Sequence, residues 1–327
     1  MNDASVKICL VSSDEYVPYL SVTLESIRQN CNSDNSYEIM ILTTDMTPRN
    51  QNIITKMFIT DNNISIHFIN VNQYVEQINF YTWAHFTKFT YYRLCIPYIL
   101  ENLDKIIYMD SDVVVNTDLY NLYNIDVESA YICATRDTHV VGTVNPKCPY
   151  YDSYYENELG IQEPINYIQA GVMLMNLSRI RTDFPDFELL KIASENKFRW
   201  LDQDLINKYF QGNIKYIDNY WNLMIFNDPE HICEYYLEGD IHLDYFTSRD
   251  NPGIIHYVGR GMPCFNPWGD MFWYYWKYAR STPYYELILS TMIDQKLMKE
   301  SQRLNDIFNH QSAFLKLKNK IKSKLKK

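Results

Sequence analysis

The stretch Asp110-Ser111-Asp112 directly follows an apolar run, Lys105–Met109 (KIIYM). In an extended chain, residues i and i+2 point to the same side, so the two carboxylates converge. They do so at the carboxyl end of a buried strand, where open α/β sheets bind ligands. Two like charges this close are costly unless a cation neutralises them. A hard divalent ion, Mn²⁺ or Mg²⁺, is the natural partner, and it attracts a diphosphate in turn. A polar turn after a strand gives the same three letters, so context has to decide. His256 ends a second apolar run (GIIHY), and Gly259 lies three residues further on. An imidazole nitrogen is a common third ligand for such a metal. A glycine nearby lets backbone N–H groups approach a phosphate. The competing reading of His256 is a structural histidine at a strand end.

Three further places carry polar chemistry. Asp202-Gln203-Asp204 opens a helix. Capping and the helix dipole explain one acid there, but three polar residues in a row exceed what a cap needs. Gln169-Ala170-Gly171 stands just before the apolar run VMLMN and suits close approach of a ligand. Arg93 sits in an aromatic-rich stretch (TYYRL), placed either to meet phosphate or acid or to face solvent.

The elements that position these residues read as an α/β protein. Val6–Val11, Tyr37–Leu42 and Ile64–Ile69 are buried strands, and Tyr19–Asn30 and Arg49–Phe58 are the helices between them. That alternation predicts a mostly parallel sheet with helices on both faces. Tyr91–Leu100 reads as helical, with Pro97 ending or kinking it. Lys105–Met109, Val113–Val115, Tyr131–Thr135, Val172–Asn176, Ile214–Ile217 and Ile254–Tyr257 are further strands, and Phe187–Asn196 and Asp202–Phe210 further helices. Residues 138–168 hold three Pro among many Tyr and Asn and read as a long loop of the kind used for lids and binding. From about Asp270 the chain reads as helix to its end. The expected organisation is a body of residues 1–269 and a helical extension of residues 270–327.

Composition narrows the classes. The 327 residues are 46% hydrophobic and 21% charged, ordinary for a globular protein with a sizeable core. The 29 Tyr offer stacking surface for sugars or bases, although AT-rich coding produces the same excess. Net charge is −10, yet residues 311–327 carry seven Lys and no acid, so residues 1–310, with 23 basic against 40 acidic side chains, sum to −17. An acidic body argues against nucleic-acid binding. In the tail, Phe314, Leu317, Ile321 and Leu325 line one face among the lysines, the pattern of a helix on an anionic membrane surface or of a solvated end. The seven Cys are scattered without a CxxC pair, which suits a reducing cytoplasm. No signal-peptide core opens the chain and no apolar run reaches the length of a membrane span. The expected location is the cytoplasm, with the tail offering peripheral attachment to the inner face of the plasma membrane.

Eight stretches, in order, resemble the retaining glycosyltransferases of family 8, which share the GT-A fold and include bacterial lipooligosaccharide galactosyl- and glucosyltransferases. They are VSSDEYVPYL (11–20), FTYYRL (89–94), LDKIIYMDSDVVV (103–115), ATRD (134–137), YIQAGVMLMNL (167–177), LDQDLIN (201–207), YWNLM (220–224) and HYVGRGMPCFNPW (256–268). The resemblance implies a UDP-hexose donor, galactose or glucose, and a saccharide or lipid-linked acceptor in lipopolysaccharide, capsule or other surface-glycan synthesis. It implies that Asp110, Asp112 and His256 ligate Mn²⁺ (or Mg²⁺) with the diphosphate, and that Ser13, Asp14 and Glu15 lie near uracil and ribose. Arg93, Asp137, Gln169, Asp202 and Gln203 would surround the donor sugar, with Gln203 beneath the anomeric carbon. Ser111, Ala170, Gly171 and Gly259 belong to the donor-binding stretches. The chain departs from the family pattern at Gln169, where the family usually has Asn, and at Met262, where it has a Lys for the diphosphate. The Pro-Trp pair comes late, at Pro267-Trp268, and Arg260 is the basic side chain nearest the missing Lys.

Two other classes compete. A sugar-nucleotide-forming nucleotidyltransferase normally needs a Gly-rich basic loop after its first strand, and residues 12–18 (SSDEYVP) contain neither Gly nor base. A catalytically impaired nucleotide-sugar or carbohydrate-binding protein of the same fold is favoured by Met262 and opposed by the intact Asp110, Asp112 and His256.

Overall fold

The computed structural model describes residues 5–84, 86–226, 233–298 and 300–303. The basic tail at 311–327 and the Arg260 side chain lie outside the described residues.

The described residues form ten strands: β1 (Val6–Val11), β2 (Tyr37–Thr43), β3 (Ile64–Asn70), β4 (Lys105–Met109), β5 (Val113–Val115), β6 (Ile132–Arg136), β7 (Ile168–Asn176), β8 (Ile214–Tyr216), β9 (Leu223–Ile225) and β10 (Ile254–Tyr257). Seven make the central sheet in the order β3-β2-β1-β4-β7-β6-β8, and β5-β10-β9 make a small second sheet. In the central sheet only β7 runs against its neighbours. This is the mostly parallel α/β architecture expected.

Both faces of the sheet are buried. Side chains alternate along a strand, so Ile8 and Leu10 enter one core with the helix Val17–Asn30, while Cys9 enters the other with residues 91–96 and 189–206. Pro18 starts the first helix where its missing N–H costs nothing. Thr47 caps the helix Pro48–Met57 through Asn50 N–H.

Several expectations are corrected. Tyr91–Leu100 is not an α-helix: Lys88–Cys95 is 3₁₀ and a single α-turn, Ile96–Ile99, follows. Pro97 has no N–H to give the Arg93 carbonyl, and Ile96 N–H bonds it instead. Strand β7 starts four residues before the apolar run, so Gln169, Ala170 and Gly171 lie inside a fully buried strand and not ahead of one. The segment 138–168 contains short helices, Thr138–Thr143 and Tyr154–Asn157. Strand β9 and the helix Gly239–Asp250 were not read from the sequence.

The chain after residue 270 begins as helix, Phe272–Ala279, and residues 285–298 are helical again. This part packs on the body. Tyr257 Oη donates to the Met271 carbonyl (2.8 Å), Asn30 Nδ2 to Tyr278 Oη (2.9 Å), and Tyr284 Oη to Asn50 Oδ1 (2.8 Å). Met271, Tyr275, Tyr278 and Ile288 are buried with the first helix.

Residues 110–112 connect the two sheets. Asp110 N–H donates to the Gly171 carbonyl on β7 (2.8 Å), and the Asp112 carbonyl accepts from Tyr257 N–H on β10 (3.1 Å). The Thr23 hydroxyl lies between the carbonyls of Ser111 (3.0 Å) and Val113 (2.8 Å). Replacing Thr23, which is 1% exposed, by the isosteric Val strips these carbonyls of their side-chain donor. We expect the Thr23→Val variant to lose about 1–3 kcal/mol in urea unfolding; an unchanged midpoint would show that the connection does not depend on this hydroxyl.

Candidate active site

Asp110, Asp112 and His256 offer one ligand atom each, all within 4.8 Å of one another. Strand β10 pairs antiparallel with β5, setting His256 opposite Val113 and beside Asp112. His256 Nε2 stands 3.3 Å from Asp112 Oδ1 and 3.9 Å from Asp110 Oδ2. An octahedral ion with bonds of about 2.1 Å holds adjacent ligand atoms about 3 Å apart. The first distance fits that spacing, and the second is longer. The donor set of two carboxylates and one imidazole suits Mn²⁺ or Mg²⁺.

The ring of His256 is oriented by a chain of buried amides. Its Nδ1 lies 3.0 Å from Asn222 Oδ1; Asn222 Nδ2 donates to Gln169 Oε1 (2.8 Å), which also accepts Gly171 N–H (2.6 Å). Asn222 therefore presents an acceptor, the proton sits on Nδ1, and Nε2 faces the carboxylates. Burial depresses the basicity of His256, but Asp112 and Asp110 outweigh it and raise the pKa overall. Gly171 makes the closeness possible. A Cβ there would meet His256 Cε1 at 2.2 Å, Gln169 Oε1 at 2.7 Å and Asp110 Oδ2 at 2.8 Å.

Arg93 joins this cluster to a second one. It is 6% exposed. Its Nη2 donates to Asp110 Oδ1 (2.9 Å), its Nη1 to the Ala170 carbonyl (2.5 Å), and its Nε lies 2.9 Å from Asp202 Oδ2. Its guanidinium stacks 4.5 Å above the Tyr108 ring, whose hydroxyl also donates to Asp110 Oδ1 (2.6 Å). Asp110 Oδ1 is thus satisfied twice, and Oδ2 is left to face His256. Thr90 donates to the other oxygen of Asp202. Burial pushes the Asp202 carboxyl up to about 6 against the pull of Arg93 and Thr90.

Gln203 is half-buried and tied at both ends: Oε1 accepts Ala170 N–H (3.1 Å), and Nε2 donates to Asp137 Oδ2 (3.0 Å). Asp137 also caps the helix Thr138–Thr143 through Val140 N–H (3.0 Å). Burial raises its pKa despite those hydrogen bonds. The acids flanking Gln203 are not equivalent. Asp204 is fully buried and accepts from Tyr154 Oη (2.6 Å), Tyr167 Oη (2.6 Å) and Trp200 N–H (2.8 Å), so it closes the helix start. Leu201, just before Asp202, takes φ of +51°, a left-handed turn that costs an L-residue about 1–2 kcal/mol.

The remaining sequence-predicted residues lie along the same edge. Strands β1 and β4 are neighbours, with Leu10 opposite Met109, so residues 12–15 leave the sheet beside Asp110. Ser13 is half-buried and Glu15 exposed. Asp14 Oδ1 accepts Thr47 N–H (2.7 Å), the Thr47 hydroxyl (2.9 Å) and Asn50 Nδ2 (2.8 Å). These bonds outweigh burial and lower its pKa. Ser111 turns its hydroxyl back to the Val11 carbonyl (2.8 Å). Gly259 has φ of +58° and open space on its Cβ side. Met262 is buried at 1% exposure. Three contributors escaped the sequence reading. Asn222 and Thr90 lie in the stretches 220–224 and 89–94, whose resemblance assigned them no role. Tyr16 lies in the stretch 11–20, likewise without an assigned role. Burial, then Asp112 and then Cys264, lifts its phenol well above the usual range, and its ring meets Tyr19 edge-on at 4.9 Å.

The chain is similar to known proteins in sequence and in fold. Residues 7–271 match the family described as glycosyl transferase family 8. A putative glycosyltransferase of Haemophilus influenzae is 27% identical over 220 residues, covering 67% of this chain and 63% of that protein. Glycosyltransferase GlyF of Streptococcus pneumoniae is 24% identical over 272 residues, covering 81% of this chain and 62% of GlyF. Among solved structures, the bifunctional glycosyltransferase WbbM superposes with a TM-score of 0.79 at 25% identity, over 88% of this chain and 52% of WbbM. The galactosyltransferase LgtC, solved with donor and acceptor sugar analogues, superposes with a TM-score of 0.66 at 21% identity, over 85% of this chain and 96% of LgtC. The fold is the GT-A fold, and the chain belongs to glycosyl transferase family 8. It spans less than two thirds of the Haemophilus protein, GlyF and WbbM.

If the three side chains are the ligands, Gly171→Ala must spread them. We expect its Mn²⁺ affinity, titrated calorimetrically in the presence of UDP, to fall about tenfold or more. An unchanged affinity would place the ion elsewhere.

Proposed function

We propose that the protein transfers a hexosyl group, galactose or glucose, with retention, from a UDP-sugar to a glycan or lipid-linked saccharide in surface-glycan synthesis. Residues 1–269 are the transferase unit and residues 270–327 an extension. The observation that carries the reading is the juxtaposition of the Asp110–Asp112–His256 cluster with the Arg93–Asp202–Gln203–Asp137 network, joined through Arg93. Family membership supplies the reaction class.

Asp110, Asp112 and His256 would hold Mn²⁺ (or Mg²⁺), which when bound supplies Lewis-acid stabilisation of charge on the leaving diphosphate. The chain's own residues set the rest. Arg93 is a fixed buried cation between Asp110 and Asp202, preorganised for developing negative charge. Tyr16, close to Asp112 and packed edge-on against Tyr19, offers a ring for the base, with Ser13, Asp14 and Glu15 at the same edge. Gln203 and Asp202 are the candidates for a nucleophile on the sugar. Both are already engaged, Gln203 by Ala170 N–H and Asp137, Asp202 by Thr90 and Arg93. That engagement favours front-face attack by the acceptor over a covalent intermediate.

One observation favours a second reading, a nucleotide-sugar-binding protein without turnover. Met262 is buried where the family carries a Lys for the diphosphate. UDP release from a panel of UDP-sugars, with Mn²⁺ and with EDTA, separates the two. We expect Mn²⁺-dependent release from one hexose donor, and in Asp110→Asn a loss of about a hundredfold or more without loss of fold. A near-native rate in that variant would sink the metal assignment, and UDP binding without release from any donor would install the second reading.

Among the described residues no helix is long and apolar enough to cross a membrane. For a lipid-linked acceptor we propose that residues 311–327, with their seven Lys, attach the protein to the anionic inner face of the plasma membrane, at about 1 kcal/mol per Lys near the surface. Deleting them should release the protein from anionic vesicles in a sedimentation assay; equal binding by the truncated chain would refute the attachment.

A further inference from the structure

A group of aromatic side chains beside Asp202 and Gln203 is not used by the chemistry above. Trp83 lies on an irregular segment ahead of the 3₁₀ helix Lys88–Cys95 and is 39% exposed. Its ring centroid is 5.7 Å from Phe86 and 6.1 Å from Trp200, and Phe86 lies 6.2 Å from Trp200. An exposed Trp on a loop ordinarily rotates freely. This one does not, because its indole N–H donates to the Arg199 carbonyl (2.8 Å). Trp200 is held as well, with its indole N–H on Tyr155 Oη (3.0 Å) and its backbone N–H on Asp204 (2.8 Å).

These anchors belong to the same short stretch that carries the pocket. Trp200 leads through the left-handed Leu201 directly into Asp202 and Gln203. The contacts run from the Asp110–Asp112–His256 cluster through Arg93 to Asp202, and Trp200 stands two residues before Asp202 in the chain. A donor whose diphosphate is drawn to the carboxylate end occupies the first part of that path. On that reading the rings adjoin the Asp202–Gln203 end, the end left for a second sugar.

The chemistry of the patch selects a saccharide. A pyranose presents a flat C–H face that stacks on indole, and its hydroxyls require polar groups at the rim. The rim here is polar: Arg199 stacks 3.7 Å above the Tyr154 ring and pairs with Asp152. Rings held in place before binding lose little rotational freedom on contact, which raises affinity for a weakly held ligand.

We propose that Trp83, supported by Phe86 and Trp200, is the stacking platform for the acceptor saccharide. This rests on the glycosyltransferase reading. The test measures sugar binding separately from the donor. Methyl glycosides of glucose, galactose and N-acetylglucosamine, and lactose, are titrated by saturation-transfer NMR against the protein holding UDP and Mn²⁺. UDP affinity is measured in parallel by calorimetry. At least one sugar is expected to bind the native protein, about tenfold more weakly to Trp83→Ala, and with partial recovery in Trp83→Phe, all three proteins binding UDP equally. Equal sugar binding by Trp83→Ala overturns the platform. So does loss of UDP along with the sugar, since that marks general damage, and so does a native protein that binds UDP but none of the four sugars. A native protein that fails to bind UDP overturns the donor reading and the platform with it.

Discussion

Two carboxylates on the short turn between β4 and β5 repel each other, and the site is an answer to that repulsion. Asp110 is tied by its backbone to β7 and Asp112 to β10, so neither can swing away without breaking a sheet contact. Side chains supply the compensating charge. Arg93 and Tyr108 saturate one oxygen of Asp110, while His256 faces the other and Asp112. The geometry that raises the His256 pKa is the geometry a divalent ion would neutralise. Gly171 is a consequence of the same constraint, because three polar side chains fit around that position only if it carries none of its own.

A second consequence is the division of labour on the helix Leu201–Phe210. Asp204 is spent on closing the helix start and holding two tyrosines, whereas Asp202 is pushed up to about 6 by burial and held by Arg93. Gln203 between them keeps one side accessible while both ends of its amide are fixed. Arg93 therefore does more than balance charge. It links the metal-type cluster to the sugar-side network, so the two parts of the site form one electrostatic unit.

Local pattern made much of this legible in advance. The strands 105–109, 113–115 and 254–257 end where their apolar runs end, because a buried strand needs an unbroken apolar stretch. The convergence of Asp110 and Asp112 was legible, although a turn at residues 111–112 and not an extended chain brings them together. Where local pattern failed, a long-range contact had overridden it. Gln169-Ala170-Gly171 looks too polar and small for strand, yet β4 and β6 pair around it and bury it. At Arg93 the missing N–H of Pro97 leaves the carbonyl to Ile96 N–H, an effect visible in the sequence, whereas the 3₁₀ form of the turns before it was not.

What the sequence by itself determined is the set of chemically able residues and the segments that carry them: Asp110 and Asp112 at a strand end, His256 on another, Asp202 and Gln203 at a helix start. What only the tertiary structure decided is how they are paired. Asn222 orients His256, Gln203 bridges Ala170 to Asp137, Arg93 chooses Asp110 and Asp202 together, and Trp200 meets Trp83. The reason is physical. Side-chain period and capping act over a few residues and are written in local order. These pairings join segments tens to more than a hundred residues apart, brought together by strand order and by the packing of helices on both faces of the sheet.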